Sequence, residues 1–187
     1  MDNNSQLGQM YNIKFINPEA IVDSLDFEAG SVVADFGCGS GYFSLPVAKK
    51  IGEQGIVHAL DILPSSLESV DSQAKILGLT NIHAVRANLE KEGGSKLADN
   101  SCDWVIMKCI LFRNKNKIAI LSEAQRVLKS QGKVLLIEWN MNDSSIGPAK
   151  SLRISKEALT DIIQKSELGI LNEIAVSNFH YGLILIK

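Results

Sequence analysis

Cysteine is scarce in this 187-residue chain, with only Cys38, Cys102 and Cys109. Their number is odd and none stands in a C-x-x-C pair, which argues against a disulfide framework and a structural zinc site. Such thiols read as small buried hydrophobes in a reducing compartment. Basic runs are also missing. Lys and Arg total 19 against 21 Asp and Glu, a net charge of −2. No stretch would track a phosphate backbone, so nucleic acid is not an expected partner. No apolar run approaches the ~20 residues that span a bilayer. The opening Met1–Gln6 is polar and lacks the basic-then-apolar layout of a secretory signal. These absences lead to the expectation of a cytoplasmic protein with no metal and no membrane span. No internal repeat or low-complexity tract is present.

What is there is globular. Hydrophobic residues make up 45% and charged residues 21%, enough apolar material for the core of one domain. Residues 1–16, polar and then mixed, read as an N-terminal arm, and residues 17–187 as the domain. Tyr11 and Phe15 in the arm either pack locally or fold over a site as a lid. Asn17-Pro18 starts a helix, with Asn as N-cap and Pro at the first helical position. Ala20, Ile21 and Leu25 give that helix its apolar face.

An alternation of strands and helices follows. Val32–Phe36 is a buried strand, and a helix from Tyr42 to Ile51 stops at Gly52. Gly55–Asp61 is a second strand. Pro64 opens a helix with Leu67, Val70, Ala74 and Leu77 at helical spacing and Gly78 as its stop. Ile82–Ala87 is a third strand, and Glu90–Ser101 is polar and loop-like. A strand at Trp104–Met107, a helix at Lys117–Lys129 ending near Gly132, and a strand at Val134–Trp139 complete the repeat. Apolar strands separated by helices indicate a parallel sheet covered on both faces. After a helix at Lys156–Ser166 come strands Ile170–Val176 and Tyr181–Ile186. Their connector, Ser177–His180, is too short for a parallel crossover, so the two pair antiparallel. The expected fold is α/β: a Rossmann-like seven-stranded sheet with helices on both faces, mostly parallel, with a C-terminal antiparallel β-hairpin.

The densest signal is the turn Asp35-Phe36-Gly37-Cys38-Gly39-Ser40-Gly41 between the first strand and its helix. Glycines let backbone approach a ligand, and the following helix presents unpaired N–H groups. Asp35 would face those groups or a ligand ammonium. Asp61, 20 residues after Gly41, ends the second strand, where an acid accepts from both hydroxyls of a ribose. A dinucleotide would need a further glycine at position 42, and Tyr42 stands there instead. S-adenosylmethionine (SAM) carries no phosphate; it needs an acid for its ammonium and a tight turn for its carboxylate, which this segment supplies.

At these residues the chain resembles the class I SAM-dependent methyltransferases: V-V-A-D-F-G-C-G-S-G-Y-F resembles their first motif, and L-D-I-L around Asp61 their ribose-binding motif. The nearest likeness is to the branch of ubiquinone/menaquinone-biosynthesis and arsenite methyltransferases. The resemblance implies SAM as cofactor, S-adenosylhomocysteine as product, and Asp35, Gly37, Cys38, Gly39, Gly41 and Asp61 as cofactor contacts. Ile62 and Leu63 fall where this family packs adenine, and core residues are the alternative for both. Asn88 stands where relatives often carry an Asp for the adenine amino group; Asn offers its own carbonyl oxygen. Lys108, Cys109, Asn140 and His180 fall where the family borders its acceptor. An Asn/Asp-Pro-Pro-aromatic motif, common in amino-group methylators, is absent, since Lys108-Cys109-Ile110-Leu111 occupies that stretch. Only Cys109 of the three thiols lies at the right edge, which disfavours arsenite chemistry. The expected acceptor is a small molecule, and no catalytic residue is assigned. Two rivals stand beside this reading. A SAM-binding scaffold or sensor without turnover differs only in its acceptor pocket. A NAD(P)-dependent oxidoreductase is opposed by Tyr42 and by the want of a second catalytic domain.

Overall fold

The computed structural model describes residues 13–187; Tyr11 lies outside the described residues. Asn17 caps α1 (Pro18–Ser24), its side chain accepting from the Ala20 N–H at 3.0 Å. Pro18, Ile21 and Val22 form the buried face of α1, while Ala20, expected there, is exposed. The elements β1 (Val32–Phe36), α2 (Ser44–Ile51), β2 (Ile56–Asp61), α3 (Pro64–Leu77) and β3 (Ile82–Arg86) make the first half. The second half holds β4 (Cys102–Lys108), α4 (Lys117–Val127), β5 (Leu128–Trp139), α5 (Lys156–Ile163), β6 (Gly169–Ile174) and β7 (His180–Ile186).

All seven strands join one sheet in the order β3-β2-β1-β4-β5-β7-β6. Pairing is parallel from β3 across to β5, and β7 runs antiparallel to both β5 and β6. Alternate side chains of the central strands serve opposite faces. Ala34, Phe36, Val105 and Met107 pack beneath α4 and α5, while Val33, Val57 and Ile106 pack beneath α1 and α2. The expected sheet is therefore present. Because the chain builds outward from β1 to β3 and then returns to add β4 on the other side, a crevice opens above the carboxyl ends of β1 and β4.

Two elements differ from the sequence reading. The helix expected over 117–129 ends at Val127, and β5 begins at once with Leu128 and runs for 12 residues. Leu128 pairs with Cys102 and Lys133 with Trp104, so residues 129–132 bulge from β5 between them, with Gln131 at φ +65°. The polar stretch before Val134 thus lies within β5, which its side chains do not advertise. Edge strand β6 is exposed along almost its whole length.

Loop Glu90–Ser101 has no helix, as read, and a side chain from α4 holds it. Glu123, 3% exposed, accepts from the Gly93 N–H at 3.1 Å, the Ser95 N–H at 2.9 Å and the Ser95 hydroxyl at 2.5 Å. It also pairs with Arg126 at 2.8 Å. Glu123→Ala would strand these donors, and a loss of about 3 kcal/mol in unfolding free energy is expected. Urea denaturation measures it; a loss below ~1 kcal/mol would mean that the loop is held by other contacts.

Candidate functional site

The turn after β1 is built on left-handed glycines: φ is +74° at Gly37, +53° at Gly39 and +88° at Gly41. It is tied to the end of β2. Gly37 and Cys38 donate to the Leu60 carbonyl at 2.8 and 3.0 Å. Gly39 donates to Asp61 Oδ2 at 3.0 Å, while Asp61 Oδ1 accepts from the Leu63 N–H at 2.9 Å. A Cβ on Gly37 would stand 2.8 Å from Ile110 Cδ1, whereas one on Gly39 would meet nothing within 4 Å. Gly37 is therefore required by packing, and Gly39 by its backbone and by the open space before it.

That space is a cavity of about 660 Å³, in the range of small-molecule sites. The turn supplies Gly37, Cys38 and Gly39, and the end of β2 supplies Asp61, Ile62 and Leu63. Asn88 lines it after β3, and Lys108 and Cys109 after β4. Ile62 and Leu63 are 51% and 57% exposed, so neither is a core residue. Asn88 Oδ1 accepts from the Glu90 N–H at 3.2 Å, and its amide NH₂ has no partner among the described residues. Burial raises the Cys38 thiol and pushes Cys109 up to about 12, so both are neutral thiols. Lys108 has its ammonium 5.5 Å from the centre of the Tyr42 ring.

Other sequence-derived candidates lie outside this cavity. Asp35, 3% exposed, stands behind the lining and accepts from the Ser44 hydroxyl at 2.6 Å through Oδ2. Gly41 faces inward, where a Cβ would come within 3.2 Å of Val70. Asn140 donates to the Asn178 carbonyl at 2.8 Å. Its own carbonyl is one of five, with those of Asn142, Ser144, Ile146 and Pro148, that receive the buried Arg153 guanidinium. His180 lies against Trp139 with ring centres 4.0 Å apart and meets Ser177 Oγ at 2.8 Å. Burial, with Lys108 and Arg153 nearby, lowers His180 to about 4, so it is neutral at physiological pH. In the arm, Phe15 packs on Phe179 at 5.5 Å and the Tyr42 hydroxyl donates to the Ile16 carbonyl at 2.6 Å. Of the rest of the lining, Ile110, Arg113 and Asn114 form a stretch of wall with no signal in the sequence. It belongs to an irregular turn after β4 whose sequence carries no periodic signal.

Burial lifts Asp35 to about 6, with the Ser44 bonds pulling the other way. An acid whose pKa is raised by folding withdraws stability as pH climbs from its unfolded value through its folded value. Asp35→Asn, which can still accept from Ser44, is expected to match the parent near pH 4. It should exceed the parent by about 2 kcal/mol at pH 8. Urea titrations at the two pH values test this; an unchanged difference would mean that Asp35 is not titrating in the fold.

Sheet order, switch-point cavity and acid-flanked glycine turn define the Rossmann-like fold of SAM-dependent methyltransferases. The methyltransferase domain family matches residues 27–175, and the chain belongs to it. A solved SAM-dependent methyltransferase from Aquifex aeolicus superposes with a TM-score of 0.84, covering 92% of this chain and 90% of that one at 22% identity. Aklanonic acid methyltransferase DauC of a Streptomyces species is 34% identical over 94 residues, 49% of this chain and 43% of DauC. The ubiquinone/menaquinone biosynthesis C-methyltransferase UbiE of Haemophilus ducreyi is 33% identical over 120 residues, 64% of this chain and 45% of UbiE. The chain thus spans less than half the length of these two curated relatives.

Proposed function

We propose that residues 17–187 form a SAM-dependent methyltransferase domain acting on a small-molecule acceptor in the cytoplasm, with residues 1–16 as an arm. The observation that carries this reading is the meeting of Gly39, Asp61, Ile62 and Leu63 in one cavity at the sheet's switch point. The residues present fit the cofactor. A carboxylate has about four acceptor positions, and the two backbone N–H groups on Asp61 leave room for both ribose hydroxyls. Ile62 and Leu63 offer an exposed apolar face to adenine, and Asn88 an amide to its edge. The open side of Gly39 admits the amino-acid end. No helix among the described residues is long and apolar enough to cross a membrane. The relatives named for aklanonic acid and for ubiquinone/menaquinone biosynthesis agree with a small acceptor.

Bound SAM supplies a methyl group on a sulfonium, which leaves without acid catalysis. The work left to the chain is placement, worth several kcal/mol when an acceptor atom is held in line at near-attack distance. Lys108, Cys109, Ile110, Arg113 and Asn114 form the wall that would hold it. The Cys109 thiol is neutral and His180 stands off the lining, so neither supplies a base at this wall.

Calorimetry is expected to detect SAM and S-adenosylhomocysteine but neither NAD nor NADP. Asp61→Ala should weaken SAM by ~1–3 kcal/mol, the range for bonds to a charged acceptor. Gly39→Val should weaken it further, through strain and occlusion. Label from tritiated SAM is expected in small metabolites rather than RNA. Binding of NAD without SAM, or undiminished SAM binding in both variants, would overturn the assignment.

A further inference from the structure

Strand β5 supports the cavity wall beyond its last ladder bond. The Cys109 N–H donates to the Ile137 carbonyl at 2.7 Å. The chain then leaves β4 with φ +53° at Cys109, an uncommon conformation for a non-glycine residue. The 3₁₀ turn Leu111–Arg113 follows, and no side chain of its own caps it. Its leading N–H groups are taken up from the next position of β5: Glu138 Oε1 accepts from Leu111 at 2.7 Å and from Phe112 at 3.4 Å. Glu138 is fully buried, and its Oε2 has no hydrogen-bond partner among the described residues. A buried carboxyl with half its acceptors idle is unfavourable for folding, and a neutral amide would cap the same turn.

The turn that Glu138 holds forms part of the cavity wall. Ile110, Arg113 and Asn114 face the cavity, and the Ile110 side chain fills the place where a Gly37 Cβ would stand. Two hydrogen bonds to one carboxylate therefore set both the acceptor-side wall and its contact with the glycine turn. We propose that Glu138 is a positioning residue whose carboxylate holds this wall closed, and that uptake of a proton loosens the wall and weakens ligand binding. The inference rests on the cavity being the SAM site.

Other ionisable groups reach Glu138 from three elements. Cys109, just after β4, and Tyr181 on β7 are neutral, both raised by burial. Lys117, opening α4, favours the carboxylate but donates to the Asn114 carbonyl at 2.7 Å. Burial outweighs the backbone N–H groups of Leu111, Phe112 and Trp139, and Lys117, and lifts Glu138 to about 7. A neutral carboxyl accepts less strongly than a carboxylate, so the wall is firm above that pH and looser below it.

Backbone-amide NMR of Leu111 and Phe112 from about pH 5.5 to 8.5, in the parent and in Glu138→Gln, tests the proposal. Gln keeps an acceptor oxygen and cannot titrate. Both amides should shift together in the parent with a midpoint near 7 and stay flat in the Gln variant. S-adenosylhomocysteine affinity, by calorimetry, should fall about five- to tenfold across the same step in the parent and show no such step in the variant. Glu138→Leu should bind more weakly at every pH. Flat parent amides, a step near 7 that survives in Glu138→Gln, or an affinity that ignores the amide titration would each overturn the proposal. Failure of S-adenosylhomocysteine to bind the parent at any pH counts against the methyltransferase reading, and the amides alone then decide whether Glu138 holds the turn.

Discussion

The carbonyl of Leu60 receives two N–H groups, from Gly37 and Cys38, and the neighbouring Asp61 carboxylate receives a third, from Gly39. These bonds press the turn after β1 against the end of β2, and the left-handed glycines make that geometry accessible. The rest of the carboxyl edge follows. Asp61 is at once a fastening of the turn and the acid of the cavity. Ile110 can rest on the turn only because Gly37 has no side chain. With the turn's first N–H groups already satisfied by β2, Asp35 is released to anchor the first residue of α2 through Ser44.

Much of the architecture is written in local chemistry. Buried apolar runs mark β1, β2, β4 and the later part of β5, Asn17-Pro18 marks a helix start, and Gly78 marks a helix end in the left-handed conformation. The cavity's first half is equally legible, because a glycine turn and a spaced acid lie within one βαβ unit. What escapes the sequence is long-range. Residues 129–132 at the start of β5 are polar and carry no partner on β4, the ladder passing from Leu128 straight to Lys133. The cap that Glu138 places on residues 111 and 112 joins positions 27 and 26 apart. Neither partner carries a motif. Asn140 and His180 were placed at the right edge of the sheet, yet backbone carbonyls and the Trp139 ring engage them outside the main cavity.

Charged groups stand at two depths around the cavity. Two buried carboxyls, Asp35 and Glu138, stand behind its wall and are both pushed toward neutrality by burial. On the lining itself the charges balance, Lys108 and Arg113 facing the same space as Asp61 and Glu90. A charge behind the wall acts through the backbone it holds, whereas a charge on the lining acts on whatever enters. The two sets therefore respond to different substitutions.

The clasp at Arg153 bears on how such a fold diversifies. Its guanidinium is satisfied by carbonyl oxygens between Asn140 and Pro148, and by no side chain of that loop. Met141, Asn142, Asp143, Ser145 and Ile146 are exposed. The loop's path is thus stored in a residue outside it, and its outward letters are largely free of structural duty. Mutational drift can rewrite that rim without unfolding it, so long as Arg153, and Gly147 against the Trp139 ring, are kept.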